Sequence, residues 1–182
     1  MNLANKLTIF RILSLPFFVA ALIYYSPSRD YLRYVALVIF LAAVVTDGID
    51  GYLARIRKER TELGTILDPI ADKLLLLSAF ICLSIIKGLP AGFRLPAWVL
   101  ILVISRDAAI LLGSAVIYLI QGKLHISPSL LGKATTFVQM TTIVWLLLGI
   151  PFAKFMWTAT AAFTVASGFG YVRSGLSLLN NK

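Results

Sequence analysis

The stretch VVTDGIDGYLARIRKERTELGTILDPIADKLLLLSAF, residues 44–80, carries six of the chain's eight acidic residues, with apolar runs on both sides. A carboxylate beside hydrocarbon is costly, and ionisable residues kept at such places tend to be functional. Helical geometry shows what the spacing does. With Asp47 set at zero and about 100° per residue, Asp50 falls at roughly −60°, Gly51 at roughly +40° and Ala54 at roughly −20°. Two carboxylates and two small side chains therefore share one face, with Arg55 at its edge. In the next segment Gly64, Asp68 and Asp72 recur at intervals of four and line one face as well. The polar link RKERTE (57–62) is short, so the two helices run antiparallel. This predicts four carboxylates converging at one end of a helix pair.

The rest of the chain sets the solvent in which this happens. Of 182 residues, 59% are hydrophobic and 14% charged, with a mean hydropathy of +0.90, which excludes an ordinary soluble domain. Within a bilayer only helices or closed barrels satisfy the backbone. Long continuous apolar runs without strict alternation choose helices. Six such runs, near 7–26, 31–57, 66–87, 95–121, 131–150 and 152–178, approach the roughly 20 residues a span requires. Their breaks, SPSRD, KGLPAGFRLP, QGKLHISPS and GIP among them, carry turn chemistry. The expected fold is all-α, a six-helix transmembrane bundle forming one domain over 1–182.

Lys6 and Arg11 before ILSLPFFVAALIYY resemble a signal peptide, but no clear small-x-small cleavage site follows and many more apolar spans come after it. The run is read as the first span. The formal net charge of +9 points, in this setting, to cytosolic loops and anionic lipid or phosphate rather than to nucleic acid. Six spans put both termini on one side, with Lys6, Arg11, Arg55, Arg57, Lys58, Arg60, Lys123, Lys133 and Lys182 there. Arg29, Arg33, Lys87, Arg94 and Lys154 fall on the other. That asymmetry orients the termini and the 55–62 loop toward the cytosol of a plasma membrane. Cys82, the one cysteine, has no disulfide partner within the chain.

Four close carboxylates raise one another's proton affinity unless cations compensate them. Hard oxygen donors without His or Cys nearby suit Mg²⁺, Mn²⁺ or Ca²⁺ rather than zinc. Two such ions can clamp a diphosphate, and Arg55 is placed to meet phosphate. The plainer alternative pairs each acid with Arg55, Lys73 or Arg106 and makes Gly51 and Ala54 a helix-packing patch.

The pattern Asp47-x2-Asp50-Gly51-x2-Ala54-Arg55-x8-Gly64-x3-Asp68-x3-Asp72 resembles the signature of the CDP-alcohol phosphatidyltransferase family. NLANKLTIFRILSLPFF (2–18) also resembles the first helix of its glycerophosphate-using members, through Asn5, Thr8, Arg11 and Pro16. The resemblance implies transfer of a phosphatidyl group from CDP-diacylglycerol to an alcohol, with release of CMP. It implies two divalent ions, Mg²⁺ or Mn²⁺, on Asp47, Asp50, Asp68 and Asp72, with Asp72 also the general base. Gly51, Ala54, Arg55 and Gly64, together with Asn5 and Thr8, would line the CDP pocket. A homodimer among membrane lipids is implied as well.

For the acceptor, the cations Arg106, Lys133 and Arg173 are the candidates. Arg106 interrupts an apolar run, an expensive position. Its neighbour Asp107 is its obvious partner, yet adjacent helix residues project about 100° apart, so a poorly arranged pair is expected. GKATTFVQM (132–140) resembles the acceptor-binding stretch of glycerol 3-phosphate users, except that Thr135 stands where a second lysine is expected. That leaves two acceptors open, glycerol 3-phosphate and, as in cardiolipin synthases, phosphatidylglycerol. Intramembrane prenyltransferases also use acids with Mg²⁺, but as separated Asp-x3-Asp pairs in longer bundles. A carboxylate-lined cation transporter would carry its acids at mid-bilayer.

Overall fold

The computed structural model describes residues 3–57, 62–86, 89, 94–121 and 130–180; within them, the side chains at 3–6, 49–57, 62–69, 117–118, 120–121 and 174–180 lie outside the description. Among the described residues all regular structure is helical, with no strand. The helices are α1 (Leu3–Ile23), α2 (Tyr31–Arg57), α3 (Glu62–Ile85), α4 (Ala97–Gln121), α5 (Leu130–Leu148) and α6 (Ala153–Asn180), and a 3₁₀ turn at Pro27–Arg29 precedes α2. Tyr31–Gly48, Ala97–Val116 and Leu130–Leu148 are long and apolar enough to cross a membrane, and Leu7–Ile23 is a shorter apolar helix. The chain is an all-α membrane protein, with six α-helices among the described residues. The range expected for α2 is the one observed. α1 and α3 begin earlier than expected, because polar first turns (LANK, ELGT) continue a helix that hydropathy alone does not register.

The chain packs as two compact units. The first holds α1, α2, α3 and the last turns of α5. Here α1 packs against both α2 and α3, whereas α2 and α3 touch each other only sparsely among the described residues. Phe18, Leu22, Ala36, Phe40, Ala43, Leu75, Ala79 and Phe80 are buried in this unit. The Phe18 and Phe40 rings lie 6.0 Å apart in a tilted pair, a geometry that adds roughly 0.5–1.5 kcal/mol beyond area burial. Small residues at 36, 43 and 79 let the helices approach closely. One heptad from Phe18, toward the chain start, lies Arg11, which meets Asp47, one heptad beyond Phe40. Opposite steps of equal length are what antiparallel helices require.

Pro16 lies inside α1 and offers no N–H to the preceding turn. In that turn the Ser14 hydroxyl donates to the Arg11 carbonyl at 2.7 Å, the kind of local back-bond that accommodates a bend. At the far end of the α1–α2 pair, Arg33 donates to Asp30 at 2.9 Å and stacks 4.9 Å over the Tyr34 ring. Tyr25 donates to the same carboxylate at 3.3 Å. Burial, then the Asp30 charge and hydrogen bond, push the Tyr25 phenol above its ordinary value, with Arg33 opposing. α5 ends in a Schellman turn. Gly149 adopts φ 71, its N–H reaches the Leu146 carbonyl at 3.1 Å, and Ile150 N–H reaches Trp145 at 3.3 Å. Glycine takes that left-handed conformation without the Cβ clash, and Pro151 prevents the helix from continuing.

The second unit holds α4, the start of α5 and α6. Its interior is polar for a membrane helix pair: Thr135, Gln139 and Thr142 of α5 are buried, as are Thr160, Thr164 and Ser167 of α6. The Thr142 and Thr160 hydroxyls lie 2.8 Å apart, and Thr135 Oγ1 reaches the Phe163 carbonyl of α6 at 3.0 Å. Buried hydroxyls in lipid must find partners, and here the facing helix provides them. Thr142→Val should lower stability by about 1 kcal/mol. The double-mutant cycle with Thr160→Val should give a coupling of about 0.6 kcal/mol, read by reversible unfolding in bicelles. A coupling of zero would mean the hydroxyl pair does not hold α5 to α6.

Candidate active site

Three helices deliver the charged centre of the first unit. α2 places Asp47 one turn after Ala43, at the end of its apolar stretch. Thr46, beside it, turns its hydroxyl back to the Ala42 and Ala43 carbonyls, both at 2.8 Å, so that it needs no partner in the site. α3 places Asp72 next to Ala71, whose side chain is buried against the unit's core. α1 contributes Arg11, 1% exposed. A single atom, Arg11 Nη1, lies 2.8 Å from Asp72 Oδ1 and 3.0 Å from Asp47 Oδ1. The carboxylates themselves are about one-third exposed, at 33% for Asp47 and 32% for Asp72. The arrangement is a buried cation beneath two half-open anions. Thr8, one turn before Arg11, is fully buried.

The expectation that Asp47 and Asp72 meet is met, but through α1 rather than by direct α2–α3 packing. The sequence places Arg11 within the first span, near 7–26, and counts it among the cations that orient the chain toward the cytosol. In the structure it is a buried helix residue, because a guanidinium can be buried where two carboxylates compensate it. The signal was present in the sequence: an arginine within the apolar stretch Leu7–Ile23 is an expensive choice. Of the partners suggested for the acids, Arg106 pairs with Asp107 instead, and the side chain of Arg55 lies outside the described residues.

Asp50, Gly51, Ala54 and Arg55 continue α2 beyond Asp47, and Gly64 and Asp68 open α3. Asn5 lies in the first turns of α1. The side chains of these seven residues lie outside the described set. Among the described residues no group of three or more His, Cys, Asp or Glu forms a complete metal cage. Asp47 and Asp72 do provide hard oxygen donors that already share one cation, which is the chemistry Mg²⁺ or Mn²⁺ accepts.

The second unit carries the three cations proposed for the acceptor. Arg106 Nη1 donates to Asp107 Oδ1 at 2.7 Å and Nη2 to Ser167 Oγ of α6 at 2.6 Å, and the guanidinium lies 5.5 Å from the Tyr171 ring centre. The pair with Asp107, expected to be badly arranged, is well formed. The arginine side chain is long enough to fold back along the helix and cover the angular gap. Lys133 and Arg173 are exposed, with no ion pair among the described residues. Thr135, which stands where a lysine was expected, is fully buried and bonds to the Leu131 and Phe163 carbonyls at 2.7 and 3.0 Å. It is a packing residue, so its identity says little about the acceptor.

Comparison with known proteins follows the same lines. The model of the CDP-alcohol phosphatidyltransferase family matches residues 1–166. A probable phosphatidylglycerophosphate synthase of Mycobacterium tuberculosis is 38% identical over 181 residues, covering 96% of this chain and 82% of that protein. The CDP-diacylglycerol–glycerol-3-phosphate 3-phosphatidyltransferase of Bacillus subtilis is 33% identical over 190 residues, covering 93% of each chain. The enzyme of the same name from Escherichia coli K12 is 34% identical over 151 residues, covering 80% and 76%. With a signature complete from Asp47 to Asp72 and a match over most of its length, the chain belongs to the CDP-alcohol phosphatidyltransferase family.

Proposed function

We propose that this protein transfers the phosphatidyl group of CDP-diacylglycerol to sn-glycerol 3-phosphate, giving phosphatidylglycerophosphate and CMP. The observation that carries the reading is the meeting of Asp47 and Asp72, from two helices, on one buried guanidinium. In the reaction a bond forms between the acceptor hydroxyl oxygen and the phosphatidyl phosphorus. The bond from that phosphorus to the oxygen of CMP breaks. Asp72 accepts the proton of the acceptor hydroxyl. Asp47, Asp50, Asp68 and Asp72 are the residues that would hold two divalent ions, Mg²⁺ or Mn²⁺. Bound there, such ions neutralise the diphosphate and favour CMP as a leaving group.

The small residues Gly51, Ala54 and Gly64, with Arg55, Asn5 and Thr8, would form the CDP pocket. Arg106, Lys133 and Arg173 would take the acceptor phosphate. The relatives named for glycerol 3-phosphate support that acceptor over phosphatidylglycerol. In this reading the chain is a single catalytic domain over 1–182. It crosses the plasma membrane several times as a homodimer and opens its site to the cytosol, where CDP stays hydrated while acyl chains remain in lipid.

The test uses purified protein with Mn²⁺ or Mg²⁺, CDP-diacylglycerol and either acceptor, following CMP. Release is expected with glycerol 3-phosphate. Release only with phosphatidylglycerol moves the assignment to the cardiolipin reaction, and no release with any alcohol rejects the activity. In the same assay Lys133→Ala should raise KM for glycerol 3-phosphate about tenfold with kcat nearly unchanged, as lost ground-state binding of about 1.4 kcal/mol predicts. An unchanged KM would make Lys133 a membrane anchor only.

A further inference from the structure

Arg11 is the feature the proposed reaction does not use. It is 1% exposed, lies in an apolar helix, and places one nitrogen within hydrogen-bond distance of an oxygen of Asp47 and an oxygen of Asp72. A guanidinium does not lose its proton in a protein, so this positive charge is permanent. The two carboxylates are each about one-third exposed. Any further cation meets a fixed like charge and must share Oδ1 atoms that are already engaged.

We propose that Arg11 is a built-in brake on cation binding, a resident positive charge that keeps Asp47 and Asp72 together yet makes tight binding of a divalent ion conditional on the diphosphate of the nucleotide lipid. The inference rests on the reading of these carboxylates as divalent-ion ligands. The physical reasoning is a charge balance. In the four-carboxylate ligand set proposed above, the guanidinium cancels one negative charge on the Asp47–Asp72 pair, so an incoming dication is drawn less strongly than by the acids alone. A diphosphate adds negative charge and further oxygen donors, and so offsets the guanidinium. Without nucleotide, Arg11 holds the pair in place and mutual repulsion does not splay α2 from α3. With nucleotide, the pair becomes a strong ligand set. The enzyme would then avoid holding a bare metal at a membrane surface rich in competing lipid phosphates.

The role is one of positioning and gating; Arg11 need not touch the reacting atoms. Its signature lies in how metal affinity depends on nucleotide, which a purely structural residue would not alter in this direction. Loss of a merely structural arginine weakens every ligand of the site. Loss of a brake tightens one of them.

The experiment titrates Mn²⁺ into the full-length protein in nanodiscs of neutral lipid, reading free Mn²⁺ by its paramagnetic resonance signal, with and without saturating CDP. For the wild type, CDP should tighten Mn²⁺ binding at least tenfold. For Arg11→Met, the dissociation constant without CDP should fall at least tenfold and the further gain from CDP should shrink. Arg11→Lys, which keeps the charge, should behave like the wild type. Thermal unfolding in the same nanodiscs checks each variant; if Arg11→Met does not fold, Arg11→Gln carries the test with the same expectation.

A neutral variant that binds Mn²⁺ no more tightly than the wild type overturns the brake, as does a lysine variant that behaves like the neutral one. In both cases CDP-dependent Mn²⁺ binding by the wild type leaves the active-site reading standing. If the wild type and the neutral variants bind no Mn²⁺ even with CDP, the metal-site reading itself fails and the brake with it.

Discussion

Asp72→Asn is expected to leave a folded, membrane-inserted protein whose turnover has fallen by about 10³-fold, within the 10²–10⁴ that a positioned general base supplies. The substitution is nearly isosteric. Its amide oxygen can still accept from Arg11 Nη1, now 2.8 Å from Asp72 Oδ1, and Asp47 continues to compensate the guanidinium at 3.0 Å. The fold of the first unit should therefore persist, because its core lies with Phe18, Phe40 and Phe80 rather than with the carboxylate. What disappears is a negative charge, and with it a proton acceptor and a cation ligand. Single-turnover CMP release, with CDP-diacylglycerol saturating, is the measurement. Turnover within threefold of the wild type would remove Asp72 from the chemistry and leave it an ion-pair residue for Arg11.

Asp50→Asn and Asp68→Asn should each abolish measurable turnover, a loss of at least about 10³-fold if each ligates an ion that stabilises the departing CMP. Helical register places both residues beside the pair. Asp50 follows Asp47 on the same face of α2, and Asp68 precedes Asp72 by one turn of α3. Carboxylates flanking a pair that already shares a cation complete a hard-oxygen ligand set for two dications. Asp30→Asn is the informative control. It breaks an ion pair with Arg33 at the other end of the α1–α2 pair and should cost some stability but not turnover. Mn²⁺ titration separates the outcomes, since the two active-site variants should also lose CDP-dependent Mn²⁺ binding. Wild-type activity in either would reject its metal role.

The helices were legible because hydropathy and turn residues are local properties. The expected range of α2 coincides with the observed one, while α1 and α3 begin at their polar first turns, before the expected starts, and end at Ile23 and Ile85, short of the expected ends. The charged contacts were less legible. Arg106 and Asp107 look ill-matched on a helical wheel, which ignores the reach of an arginine; the structure pairs them at 2.7 Å and adds Ser167 from α6. Thr135 looks like a missing lysine in a linear pattern, yet it is buried against a carbonyl of α6. In each case a side chain's meaning depends on a helix elsewhere in the chain.

Composition and periodicity alone decided that this is an all-helical membrane chain, and that Asp47 and Asp50, like Asp68 and Asp72, occupy shared helix faces. Both follow from transfer free energy and a fixed rotation per residue, which act on neighbours in sequence. Only the tertiary structure decided that α1 packs against both α2 and α3, so that Asp47 and Asp72 meet on the guanidinium of Arg11. The reason is that compensation of a buried charge is a property of three-dimensional proximity. No local rule states which cation, from which helix, will come within about 3 Å of a given carboxylate.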